Sequence, residues 1–152
     1  MVRPNRTPSP AALASARRVV YASEDVSVAP LAVIPSLLRE LGVEPASVLE
    51  RMGIERRALN DPANRLPFSL AGRLLEECAA ASACPHFGLL VGIRSGPAAA
   101  GIAGRMIGHA ESVHAALRLF IAHQHLHDRG GVAVLDVRRT GEAQLAYLIH
   151  HP

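Results

Sequence analysis

From position 30 onward the chain alternates short stretches of helical periodicity with glycine and proline breaks. Leu31, Ile34, Leu38 and Leu41 recur at three- and four-residue intervals, and Gly42 stands where a helix of that register would stop. The pattern predicts a helix over 30–41, its regular part beginning near Pro35, because proline is tolerated in a first turn. A short second helix over 45–52 is closed by Gly53, and a turn-rich segment runs through Asn60, Asp61 and Pro62 to Pro67. Beyond it, Ser69 is placed as an N-cap. Leu70, Leu74, Cys78 and Ala81 then form one stripe while Arg73, Glu76 and Glu77 project elsewhere. Two compact helices are expected over 85–93 and 98–107, separated by Ser95-Gly96-Pro97. Gly88, Gly92, Gly96, Gly104 and Gly108 recur in them at four-residue steps, which predicts close helix–helix packing inside a core.

The segment 111–127 reads as one longer helix. At about 100° per residue, Val113, Ala116, Leu117 and Phe120 share a face, with His114, Arg118 and His125 opposite. His123, Gln124 and His127 fall on the side of Phe120, so the helix turns polar groups inward at its C-terminal end. Asp128-Arg129-Gly130-Gly131 ends it. Extended runs over 132–138 and 143–149 then form a hairpin joined through Arg139-Thr140-Gly141-Glu142. The expected fold is α+β and predominantly α: a helical bundle followed by a C-terminal β-hairpin. A lone hairpin is marginal in water and leaves both edges open, so it is expected to be the start of a larger, missing sheet.

Composition refines this picture. Residues 1–27 carry Pro4, Pro8, Pro10 and scattered arginines, too little apolar material to offset the entropy of ordering them, and are expected to be a flexible arm ahead of one domain over 28–152. Basic residues number 16 against 13 acidic, and Arg3, Arg6, Arg17 and Arg18 lie in the arm. The remainder shows no basic stripe of the kind that binds phosphate backbones. Two cysteines are too few for a disulfide framework and match no zinc or redox spacing. Cys78 belongs to a buried stripe, and Cys84, before Pro85, is expected to be the more exposed. With no apolar leader and no uninterrupted membrane-length run, a soluble, cytoplasmic protein is expected.

The chemistry-bearing residues are few. His123-x-His125-x-His127, with His150 and His151, is the densest cluster, but only His123 and His127 share a helical face. Position 124 is Gln, so the HExxH metalloprotease pattern is absent. Lysine is absent from the chain, and with it any phosphate-cradling Gly-rich loop ending in Lys-Ser/Thr. No G-x-S-x-G elbow occurs. Neither metal nor cofactor is expected, and an enzyme is the weaker class. His123, Gln124 and His127 are the candidate ligand-binding residues.

Several stretches together resemble the N-terminal arabinose-binding-type domain of AraC-family transcription regulators. They are Leu37-Leu38-Arg39-Glu40-Leu41-Gly42-Val43-Glu44-Pro45, Leu59-Asn60-Asp61-Pro62 with Arg65-Leu66-Pro67, and Pro85-His86-Phe87-Gly88-Leu89 with Val91-Gly92. Gly96-Pro97 with Gly101 and Gly104, Ala116-Leu117-Arg118 and His127-Asp128-Arg129-Gly130 continue the series. The resemblance implies an effector-sensing domain that binds a small molecule and signals to a separate DNA-binding half. DNA contact is therefore expected only through a C-terminal helix-turn-helix domain missing from these residues, and the sensing domain is expected to be C-terminally incomplete. The rival expectations are a helical dimerisation module, pairing with itself or with a full-length regulator, and, more remotely, a metal-dependent enzyme.

Overall fold

The computed structural model describes residues 24–137 and 142–149. A short strand, β1 (Asp25–Ser27), opens the described chain and pairs antiparallel with β2 (Arg65–Pro67), Val26 facing Leu66. Between them lie a 3-10 turn (Ala29–Val33), helices α1 (Ile34–Glu40) and α2 (Pro45–Arg51), and a second 3-10 turn (Arg56–Leu59). Helices α3 (Phe68–Ala81) and α4 (Phe87–Ser95) follow, then a 3-10 turn (Pro97–Ala100), α5 (Gly101–Gly108) and α6 (Val113–His123). A last 3-10 turn (Gln124–Leu126) leads into the hairpin β3 (Gly131–Val137) and β4 (Ala143–Ile149). The predominantly helical α+β class is the one read from the sequence. Among the described residues the hairpin is not closed into a larger sheet.

The core gathers the apolar stripes of the first four helices. Ile34 and Leu38 of α1, Leu49 of α2, Leu74 and Cys78 of α3 and Phe87 of α4 are all buried, with Val28 and Leu59 from the intervening turns. Helices α1 and α2 stop at Gly42 and Gly53, both in the left-handed region that glycine enters without penalty. The next residue's N–H then reaches back to close the turn, Val43 to the Leu38 carbonyl and Ile54 to that of Leu49. Helix α3 ends in the same way on a non-glycine, Ala83, and the Cys84 N–H bonds the Ala79 carbonyl. That turn carries Cys84 inward, where it is only 7% exposed. Cys84 is thus the more exposed of the two cysteines, as expected, but only slightly, and both are buried.

Other expectations change at the boundaries. Helix α3 begins at Phe68 without a side-chain cap, not at a Ser69 cap, because β2 delivers the chain directly and the Phe68 N–H bonds the Glu24 carbonyl. Of the expected arm, residues 1–23 lie outside the described residues, whereas Asp25–Ser27 form β1. Pairing with β2 supplies the backbone partners that composition could not reveal. The segment 111–127 is not one helix: Ser112 caps α6 through the Ala115 N–H, α6 ends at His123, and a 3-10 turn follows. The glycine stripe is also corrected. Around Gly88, Gly92, Gly96 and Gly108 no neighbour approaches where a Cβ would stand, and only Gly104 is in tight contact, against the Pro97 carbonyl. The expected hairpin is present, Gly131 pairing with Ile149 through Val137 with Ala143, and residues 138–141 between its strands lie outside the described residues. No single helix among the described residues is long and apolar enough to cross a membrane.

Candidate functional site

The apolar face of α6 does not enter the main core. Val113, Ala116, Leu117 and Phe120 instead form one wall of a cleft of about 600 Å³. The facing wall comes from the break between α4 and α5: Gly92, Ser95, Pro97, Ala99 and Ala100, with Ile107 of α5. Val26 and Pro30 contribute from the N-terminal strand and the turn after it. The polar end is built by Gln124, His127, Asp128 and Tyr147. A volume of this order is typical of small-molecule sites, as is an apolar lining with a few convergent polar groups.

The three candidate residues part company. Gln124 is 5% exposed and lines the cleft, but its amide is spent on β3, Nε2 donating to the Gly131 carbonyl at 3.0 Å and Oε1 accepting from the Ala133 N–H at 2.7 Å. It fixes the hairpin onto the end of α6. His123 does not line the cleft; its Nδ1 lies 2.9 Å from the Leu119 carbonyl one turn back. On the helical wheel it stands at the edge of the arc centred on Phe120, so a small rotation is enough to take it out. His127 lines the cleft, and its Nε2 is buried without a hydrogen-bond partner.

Around His127 the backbone is clasped by Arg65. The guanidinium donates to the carbonyls of Leu126 at 3.1 Å and His127 at 3.2 Å, and its Nε pairs with the Asp25 carboxylate. The Ser27 N–H also bonds the His127 carbonyl, and the Arg129 N–H bonds that of Asp25. Strands β1 and β2 are thereby fastened to the segment between α6 and the hairpin, with Val26 bridging to Asp128. The Asp128 carboxylate accepts from the Gly130 N–H at 2.9 Å and from the Tyr147 hydroxyl. Burial, together with that carboxylate, pushes the Tyr147 hydroxyl well above its ordinary range, so it stays a phenol. The alternation of β4 could have flagged Tyr147 as inward or outward, but nothing local in the sequence pairs it with Asp128, 19 residues away.

Burial holds the His127 imidazole below its ordinary value of 6.5, and the positive charge of Arg65 adds to this against the opposing pull of Asp128. His127 is therefore neutral at pH 7. Because its folded value is depressed, the unfolded chain takes up the proton first as pH falls. The contribution to stability is complete above about 6.5 and is lost as pH drops through the lowered folded value. Urea unfolding at pH 7.5 and 5.5 should show this loss in the native chain and a smaller one in His127→Gln; equal losses would exclude His127 as its source.

Among the described residues, no three His, Cys, Asp or Glu side chains come together to hold a metal ion. His150 and His151, the remaining members of the histidine cluster, lie outside the described residues. The site is an apolar recess with Gln124, His127, Asp128 and Tyr147 at its polar end. Residues 42–152 match the family described as the arabinose-binding domain of AraC transcription regulators, N-terminal. The chain belongs to that family, and is a regulatory, effector-sensing module and not an enzyme. No match was found among curated proteins.

Proposed function

We propose that this domain senses a small molecule held in the cleft between α6 and the Pro97–Ala100 turn, with His127 as the polar contact. The observation that carries the reading is the cleft itself: the α6 face is apolar, yet it lines open space instead of packing into the core. An apolar surface left this way is costly unless something occupies it. Gln124 serves as the strut that positions the site, and His123 lies beside it. DNA would be contacted by another domain of the regulator. The neutral dye Nile red should bind with enhanced fluorescence in the native chain. In Ala116→Trp, whose indole fills the recess from a half-buried position on α6, affinity should fall about tenfold or more with the melting temperature retained. Unchanged dye binding would remove the cleft from the reading.

A second reading, pairing with another copy, is favoured by Leu89 and Ile93, which stand one turn apart on α4 and are 64% and 70% exposed. Light scattering should then give a dimer for the native chain and a monomer for the double variant Leu89→Glu, Ile93→Glu. A monomer in both cases dismisses it.

A further inference from the structure

The polar groups of the cleft are almost entirely committed to one another. The Ser95 hydroxyl donates to the Gly92 carbonyl, the Gln124 amide holds β3, and the Asp128 carboxylate is occupied by the Gly130 N–H and the Tyr147 hydroxyl. What remains at this end is the His127 imidazole, which lines the cleft and whose Nε2 is buried without a hydrogen-bond partner, and the acceptor capacity of the Tyr147 oxygen. Elsewhere the walls are Pro97, Ala99, Ile107, Leu117 and Phe120, which offer no side-chain partner to a polar ligand.

Charge narrows the choice further. Among the described residues lining the cleft, Asp128 is the only side chain with a formal charge at neutral pH, and it is negative. Arg65, the nearby cation that acts on His127, is engaged with Asp25 and with the carbonyls of Leu126 and His127. A carboxylate or phosphate entering here would lose its hydration and meet no free cation. A sugar would bring several hydroxyls against apolar walls and leave most of them unsatisfied. A single hydroxyl fits the neutral imidazole in either tautomer, because it both donates and accepts.

We infer that the effector of this cleft is an uncharged, largely apolar molecule carrying one hydroxyl group, seated at the end formed by His127 and Tyr147. The inference rests on the cleft being the effector site. Calorimetric titration of the full chain with four probes tests it: 4-propylphenol, its methyl ether 4-propylanisole, 4-propylbenzoate and L-arabinose, each repeated on Ala116→Trp. The phenol is expected to bind about tenfold more tightly than the ether, with no measurable binding of the benzoate or the sugar. In His127→Phe the phenol should fall to the level of the ether; His127→Gln, which restores a hydrogen-bonding group, should recover part of the difference. If the sugar or the benzoate binds best and Ala116→Trp abolishes that binding, the cleft is the effector site and the inference on ligand class is wrong. If the phenol and the ether bind equally, the hydroxyl is not recognised and the inference is likewise wrong. If no probe shows binding sensitive to Ala116→Trp, the inference and the reading of the cleft fall together.

Discussion

Gly104→Ala is expected to destabilise the chain by about 3 kcal/mol, the upper end of what overpacking costs. Gly104 is buried within α5, and a Cβ there would stand 1.8 Å from the Pro97 carbonyl oxygen and 3.2 Å from the Ala100 Cβ. The obstacle is backbone, so it cannot rotate aside as a side chain could. Alanine gains about 1 kcal/mol of helix propensity over glycine, which the clash exceeds. Relief requires moving the Pro97–Ala100 turn, a wall of the cleft, so Nile red affinity should fall with stability. Gly88→Ala and Gly92→Ala are the controls, since nothing lies within 4 Å of the added methyl at either position and both should be neutral or slightly stabilising. Urea unfolding of the three variants checks the contrast. A Gly104→Ala chain as stable as the native one would mean that the turn is free to move and does not shape the cleft.

That contrast also marks how far the sequence could be read. Helix periodicity located Leu38, Leu74 and Cys78 in the core because burial of a helical face is a local, repeating signal. The same signal put Val113, Ala116, Leu117 and Phe120 on one face of α6, and that face lines the cleft. What lay opposite it was not legible. The other wall comes from a 3-10 turn whose sequence, Pro97-Ala98-Ala99-Ala100, carries no distinguishing chemistry, and the glycine spacing around it suggested helix–helix contacts, whereas the tight contact is that of Gly104 with the turn itself. The polar end was partly legible. Wheel geometry separates Gln124 and His127 from His125, but it could not foresee that Gln124 would be consumed by the Gly131 and Ala133 backbone while His127 Nε2 is left without a partner. These outcomes depend on long-range placement of β3, which local periodicity does not encode.

The clasp at Arg65 shows the same limit from the other side, and its removal should have the second large effect. Arg65-Leu66-Pro67 and His127-Asp128-Arg129-Gly130 resemble family stretches that look like unrelated turns, yet in the fold they meet: Arg65 joins Asp25 to the carbonyls of Leu126 and His127. Its side chain is 28% exposed and that of Asp25 20%, so the pair is largely withdrawn from solvent. Arg65→Met would take from the Asp25 carboxylate its closest guanidinium, the contact to Arg129 being longer at 3.8 Å, and would strip the guanidinium from both carbonyls. Removing one partner of a mostly buried, hydrogen-bonded charge pair costs about 3 kcal/mol. Arg65→Lys should recover less than half of this, because a single ammonium cannot reproduce the planar fork that reaches the carboxylate and the carbonyls together. The deficit should persist when salt is raised to about 0.5 M, since pairs withdrawn from solvent are weakly screened. Chemical denaturation at low and high salt measures both. A loss within about 0.5 kcal/mol, the range of ordinary surface substitutions, would mean that β1 and β2 hold the α6–hairpin segment by backbone pairing alone. A full loss would place the His127 end of the cleft under the control of a residue 62 positions earlier in the chain.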